Sequence, residues 1–326
     1  MSDEVATKQQ SKTANISKGS FERHPRHRED YSRFDRIKDR VWDNVGVFKN
    51  QPLGQSGVVL MIGFVLLAIF GDFIAPYEAS TRHYDAQMSL RRVESPSMEH
   101  LFGTTAQGRD IFSQTVISAR ASLIVGLLTA VISVGLGTAV GIVSAFYGGR
   151  VDDVLMRITD IAYGVPLIPF LIVVVIIFRP GLVPIIIGIS FLMWRSTARV
   201  IRSQVLSLKE RPYIESARSA GASDYRIMRH HLLPNVLPLA YLYGAFAIGT
   251  GILAEASISF LGFGDPSIIS WGGMIHLAYT SGTLREAWWW AIAPSIALSV
   301  TVMSAFLIAR AYETVVNPDL EASKEF

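Results

Sequence analysis

Six long apolar stretches separated by polar segments dominate the chain from residue 58 onward. Residues 58–75 form the first, interrupted by Asp72 and closed by Pro76. Residues 121–147 carry no charged side chain across 27 positions. Residues 161–178 and 182–194 follow, parted only by Arg179, Pro180 and Gly181. Residues 236–263 hold one charge, Glu255, and residues 288–309 hold none but enclose Pro294. A helix of about 20 apolar residues crosses a hydrocarbon core of about 30 Å. Most of the stretches reach that length, and the fourth does so by continuing through Ser196 and Ala198. The pattern predicts an all-α integral membrane protein with six transmembrane helices.

The region before the first span follows another rule. Residues 1–30 have almost no large apolar side chains and are expected to be a disordered, basic cytoplasmic tail. From Tyr31 onward, Phe34, Ile37, Val41, Val45 and Phe48 recur at spacings of three and four, with Arg33, Arg36, Lys38 and Arg40 between them. Residues 31–52 are therefore predicted to be an amphipathic helix whose basic face lies on an anionic membrane surface. A signal peptide would place its apolar run much closer to the start.

Composition agrees with the membrane reading. Of 326 residues, 50% are hydrophobic and 17% charged, against about 25% charged in soluble domains. There is no cysteine, which excludes disulfides, thiolate zinc sites, iron–sulfur clusters and a cysteine nucleophile. Six spans with the N-terminus inside place 23 of the 30 Lys and Arg residues on one side, 11 of them in residues 1–56. The remainder are Arg82, Arg91, Arg92, Arg109, Arg120, Arg179 and Arg285. The positive-inside rule thus puts both termini in the cytoplasm. This bias accounts for a pI near 9.1 without invoking nucleic acid. Trp288, Trp289 and Trp290 are expected at the outer interface, where indole rings collect.

The segment between the fourth and fifth spans is far longer than a turn requires, and loops of that length are commonly functional. Its core reads KERPYIESARSAGASDYRIMRHHLLPN. A helix through Glu215, Ser216 and Ala217 can stop at Gly221, because glycine tolerates the left-handed conformation after a helix end. Ser223 can cap a second helix with Asp224 in its first turn, and Pro234 is expected to close the unit. Ala217, Ala220 and Ala222 keep the turn slim enough to enter a groove on another protein.

These residues resemble the E-A-A, three residues, G, nine residues, I-x-L-P motif of ABC importer permeases. Glu215, Ser216, Ala217, Gly221, His231, Leu232, Leu233 and Pro234 stand in register, with Ser for the second residue and His for the isoleucine. The His is similar to the dipeptide/oligopeptide/nickel branch. HLFGTTAQGRDIFSQTVISARASL at 100–123 resembles that branch's G-T-D-x-x-G-R-D signature, with Thr105 where Asp is usual. ILAEASISFLGFGDP at 252–266 and SWGGMI at 270–275 resemble the end of the fifth span and the loop beyond it. The likeness runs from about Gly54 to Leu320 and is closest to the second, C-type permease of a pair.

The resemblance implies a domain plan. Residues 53–115 would hold the first span and an external loop. Residues 116–312 would form the permease core around a cytoplasmic coupling loop at 205–234, and 313–326 a cytoplasmic tail. It implies an ATP-driven importer of di- or oligopeptides or similar small solutes in the cell membrane. Its partners would be a second homologous permease, two ABC ATPase subunits and an extracytoplasmic solute-binding protein. Glu215, Ser216, Ala217, Gly221, Ala222, Ser223, Asp224, His231, Leu233 and Pro234 would couple the spans to the ATPases.

Other residues carry weaker signals. Glu255 is the foremost intramembrane ionisable group, a candidate for the translocation pathway or for a bond to a neighbouring helix near the outer end. Asp160 is expected to be solvated or paired with Arg157. Gly137 and Gly141 allow a close helix approach, within this chain or with the second permease. Pro166 and Pro169 are expected to kink the third span. His230 and His231, adjacent on a basic loop, do not suggest a metal site, and no cofactor is expected. The sequence contains no G-x-x-x-x-G-K-[ST], H-E-x-x-H or G-x-S-x-G, so ATP hydrolysis is assigned to separate subunits and no hydrolase chemistry is visible. An ion-gradient-driven secondary transporter is the alternative. It would usually show inverted halves and several midplane charges.

Overall fold

The computed structural model describes residues 51–316. The expected tail at 1–30, most of the amphipathic helix at 31–52 and residues 317–326 lie outside that range. Helix α1, Pro52–Ile74, starts with proline at its first position, where the missing N–H costs nothing. Helix α2, Ile111–Tyr147, is followed by α3, Gly149–Tyr163, α4, Leu167–Phe178, and α5, Leu182–Leu208. Two short helices, α6, Pro212–Ser219, and α7, Asp224–Ile227, precede a π turn at Met228–Leu232. Helix α8, Leu233–Ile258, ends in a second π turn, Ser259–Phe263. Helices α9, Trp271–Thr280, and α10, Trp288–Val316, complete the bundle. Five helical segments are long and apolar enough to cross a membrane, and the α3–α4 pair brings the number to six if counted as one broken span.

The third span departs from expectation. Residues 161–178 do not form one kinked helix. Instead α3 and α4 meet at 89°. Val165 precedes a proline, a position that disfavours the helical region, and Pro166 is itself extended at ψ 130. Pro169 lies in the first turn of α4 and does not kink it. Twelve residues of α4 rise only about 18 Å, less than a hydrocarbon core.

Helix α3 is fastened to the cytoplasmic half of α5. Asp152 accepts from Arg202 Nε at 2.6 Å and Nη2 at 2.5 Å, and from Ser144 Oγ at 2.6 Å. Arg195 donates to the Ala162 carbonyl, while Arg195 and Arg199 both lie over the Tyr163 ring. Asp160 pairs with Arg199 at 2.7 Å, so the partner is not Arg157 but a residue one helix away.

Close packing within the bundle settles where the glycine pair acts. A Cβ on Gly137 would stand 2.6 Å from the Trp194 carbonyl, and one on Gly141 2.6 Å from the Ala198 carbonyl. The pair therefore seats α2 on α5 of the same chain. The tryptophans at the start of α10 divide. Trp288 is exposed as an interfacial belt requires, whereas Trp290 is buried with Trp271 and Ile111. Residues 270–275, expected as a loop, include the start of α9, which Ser270 caps by accepting the Gly273 N–H. A Cβ on Gly272 would meet the Ala256 carbonyl at 2.4 Å, so α9 can sit tightly against α8 only with glycine there.

Candidate functional site

Residues 209–233 form an exposed, ordered unit at the cytoplasmic end, taking the end that bears the Lys/Arg excess as cytoplasmic. Helix α6 places Glu215 in its first turn, exposed to solvent. Ser216 donates its hydroxyl to the Pro212 carbonyl at 2.9 Å, and Ala217 is half-buried. The helix then stops in a left-handed turn. Gly221 has φ 80, its N–H donates to Arg218 O, and the Ala222 N–H donates back to Ala217 O at 3.1 Å. Those two bonds make a Schellman motif, which satisfies carbonyls a helix end would leave open. Ser223 caps α7 by accepting the Arg226 N–H, and Asp224 occupies its first turn.

Beyond that turn the arrangement differs from a closed helix–turn–helix. Pro234 does not end the unit, because α7 runs through the π turn directly into α8 as one helical segment from Asp224 to Phe263. The π turn absorbs the geometry that proline near a helix start demands: Leu233 N–H donates to Met228 O, five residues back. Asn235 Nδ2 donates to the His231 carbonyl at 2.6 Å. His231 is half-buried and its ring faces Tyr213 at 6.3 Å; Leu233 is half-buried and Pro234 exposed.

What fixes the unit to the bundle was not singled out from sequence. Ile214, Ile227 and Leu232 are at most 1% exposed and pack with Ile142, Phe146 and Ile201, at the cytoplasmic ends of α2 and α5. Lys209 Nζ donates to the Ala145 carbonyl at 3.0 Å, a favourable use of a cation at a helix C-terminus. A signal was present, since Ile214 and Ile227 are the only Ile, Leu or Val side chains in residues 209–231. The outward surface exposes Glu215, Ser216, Arg218 and Ser219, with the Arg218 guanidinium reaching over the Phe146 ring at 5.8 Å, and displacement of the unit must carry α2, α5 and α8 with it.

A cleft of about 410 Å³ opens between α5 and α8, lined in part by Ser196, Thr197, Tyr243, Phe246 and Thr250. It adjoins a groove of about 750 Å³ between α8 and α10, the two sharing Phe246 and Glu313. Ser196 and Thr250 spend their hydroxyls on carbonyls of their own helices, at Met193 and Phe246. Glu255 does not open onto either space. It is 1% exposed, with Oε1 accepting from Ser259 Oγ at 2.6 Å, so in this conformation no solute reaches it. The left-handed Gly262, at φ 88, lies directly beyond in the second π turn, and Glu255 ties that elbow to its own helix.

The external segment 76–110 is ordered by the signature residues. Asp110 caps α2, accepting Ser113 N and Oγ at 2.7 Å each, and its other oxygen meets His100 Nδ1 at 2.9 Å. Gly103 and Gly108 are left-handed, at φ 73 and 68. Thr105 closes the turn locally, its hydroxyl accepting the N–H groups of Gln107 and Arg109. Arg91 bridges Glu94 and Glu99 and, chiefly by hydrogen bonding, holds the Glu99 carboxyl below its ordinary range.

His83 packs edge-on against Tyr77 and His100. Burial first, then the neighbouring His100, lowers its pKa below the ordinary 6.5, with Arg91 acting in the same sense and Asp110 and Glu99 opposing. Folding thus weakens proton binding, so this contribution is complete above 6.5 and is lost as pH falls through that value toward the folded one. After correction for the base-catalysed intrinsic rate, protection from hydrogen exchange in residues 83–108 of the assembled protein should fall as pH drops below 6.5. His83→Asn should flatten that response, and an unchanged response would refute the assignment.

Comparison with known proteins agrees with this architecture. Residues 137–321 match the family described as binding-protein-dependent transport system inner membrane component. Residues 41–91 match the N-terminal TM domain of oligopeptide transport permease C. The chain is 33% identical over 262 residues to the oligopeptide transport system permease protein OppC of Bacillus subtilis (strain 168), covering 80% of this chain and 84% of that one. It is 31% identical over 273 residues to the dipeptide permease DppC of the same organism, covering 83% of each. It is 33% identical over 275 residues to the glutathione transport system permease protein GsiD of Escherichia coli O157:H7, covering 84% and 89%. The chain belongs to the inner-membrane permease component of binding-protein-dependent ABC importers.

Proposed function

We propose that this chain forms half of the translocation pathway of an importer for di- or oligopeptides or chemically similar small solutes, paired with a homologous permease. Two ATPase subunits dock on the cytoplasmic unit, and an extracytoplasmic solute-binding protein delivers the solute at the opposite end. The observation that carries this reading is the exposed α6–α7 turn anchored by Ile214, Ile227 and Leu232 to three membrane helices. Nucleotide-driven approach of the ATPases pushes that turn and biases a two-state bundle between inward- and outward-open arrangements. Glu215, Ser216, Ala217, Gly221, Ala222, Ser223 and Asp224 present or shape the docking surface. His231, Leu233 and Pro234 shape its junction with α8. The cleft between α5 and α8 supplies this chain's side of the pathway, and similarity to oligopeptide, dipeptide and glutathione permeases supports a peptide-like cargo.

The test is uptake of a labelled dipeptide and of glutathione by proteoliposomes containing the full complex and its binding protein. Uptake should require ATP and survive collapse of proton and sodium gradients, which sets aside the secondary-transporter alternative. Gradient-dependent uptake without ATP would overturn the reading. ATP-driven uptake of a chemically unrelated solute alone would overturn the cargo assignment and leave the permease role standing.

A further inference from the structure

A second concavity, of about 800 Å³, lies between α2 and α8 toward the cytoplasmic end. Its lining comes from α2, from α8 and from the α7–π turn junction. On α8 it uses Leu237, Tyr241, Gly244 and Ile248, while the cleft between α5 and α8 uses Leu239, Tyr243, Phe246 and Thr250. The two sets are offset by two residues, about 200° around the helix, so the concavity faces away from the proposed pathway. Its walls are almost wholly aliphatic and wide enough for hydrocarbon. Gly135 and Gly244 leave open space where a Cβ would be. Thr138, 7% exposed, lines the groove with its hydroxyl unbonded among the described residues. At the cytoplasmic mouth stand Tyr225 and Arg229, both exposed, and Arg229 has no ion-pair partner among the described residues.

We propose that this groove holds an acyl chain of an anionic phospholipid of the cytoplasmic leaflet, with its phosphate against Arg229. An apolar trough ending in a guanidinium that has no ion-pair partner among the described residues, at the membrane–water boundary, complements such a lipid in both parts. Arginine suits phosphate through its planar donor array, and basic pockets between membrane helices on the cytoplasmic side are suited to anionic headgroups. The inference concerns the face opposite the pathway and does not rest on the identity of the cargo.

Native mass spectrometry of the purified complex, released from vesicles of phosphatidylglycerol and phosphatidylcholine, tests it. The wild type should retain about one more phosphatidylglycerol per copy of this chain than Gly244→Trp, which fills the groove. Gly135→Trp, filling it from the α2 side, should give the same loss, so the result does not depend on one variant's folding. Arg229→Gln should keep a bound lipid but lose about fivefold of the preference for phosphatidylglycerol. Equal retention by the wild type and both groove-filling variants would overturn the proposal. So would efficient cross-linking of Gly244→Cys to another protein chain, because a helix would then occupy the groove.

Discussion

At matched membrane levels, the double variant Ile214→Ala, Ile227→Ala should lose nearly all transport and the stimulation of ATP hydrolysis by the binding protein. Each side chain is completely or almost completely buried against the ends of α2 and α5. Removing such a group costs about 2–5 kcal/mol where the cavity cannot collapse. The spans do not depend on either residue for insertion, so the complex should still assemble while its ATPases push on a loosened unit. Gly221→Val tests the same unit through the backbone. The position is left-handed, but nothing stands within 4 Å of an added Cβ. Its cost is therefore strain alone, about 1–2 kcal/mol, or about a tenfold loss of correctly folded turn. Glu215→Lys should act by another route, reversing charge on the exposed docking surface without altering the fold. Wild-type uptake in all three variants would show that the unit is only a tether.

Gly141→Leu should prevent accumulation of the protein. An added Cβ meets the Ala198 carbonyl at 2.6 Å and the Ile201 Cβ at 2.9 Å. The first is backbone and cannot rotate aside, so α2 and α5 must separate along their contact. Tight seating of small residues is the main source of helix association in lipid. Gly63→Leu is the matched control, since nothing lies within 4 Å of that position. Immunoblotting of membranes should show the first variant depleted and the second near wild type, and equal levels would refute the packing argument.

The contrast between those glycines shows where sequence pattern carries structural information. Span positions were readable because lipid demands long apolar helices, and the break at Gly221 was readable because its conformation is local. The four-residue spacing of Gly137 and Gly141 announces a close helix approach that the isolated Gly63 does not, but only the fold shows that the partner is α5 of the same chain. The same holds for Asp160, whose partner Arg199 is 39 residues away and could not be chosen over nearby Arg157. The third stretch misled because apolar composition reports burial in lipid and not straightness: residues 161–163 end one helix and 167–178 form another. Helix α9 escaped because ten residues seated among other helices need neither the length of a span nor a regular apolar stripe. In residues 209–233 the helix break at Gly221 was legible, but the isoleucines that anchor the segment were not singled out, because two isolated apolar residues in a polar segment announce burial without a destination.

The continuous helical segment from Asp224 to Phe263 has a mechanical consequence. Forty residues make a rod about 60 Å long, with the docking turn at one end and the Gly262 elbow at the other. If it pivots near its middle by about 10°, each end sweeps about 5 Å in opposite directions. A push that spreads the cytoplasmic ends then draws the outer ends together, and the reverse push exchanges them. Opening on one side and sealing on the other become a single motion, so a leak through both ends at once requires the rod to bend. Its weakest places are the two π turns and Pro238 between them, and under the proposed mechanism the stiffness of the remaining turns keeps the two ends moving in opposite senses.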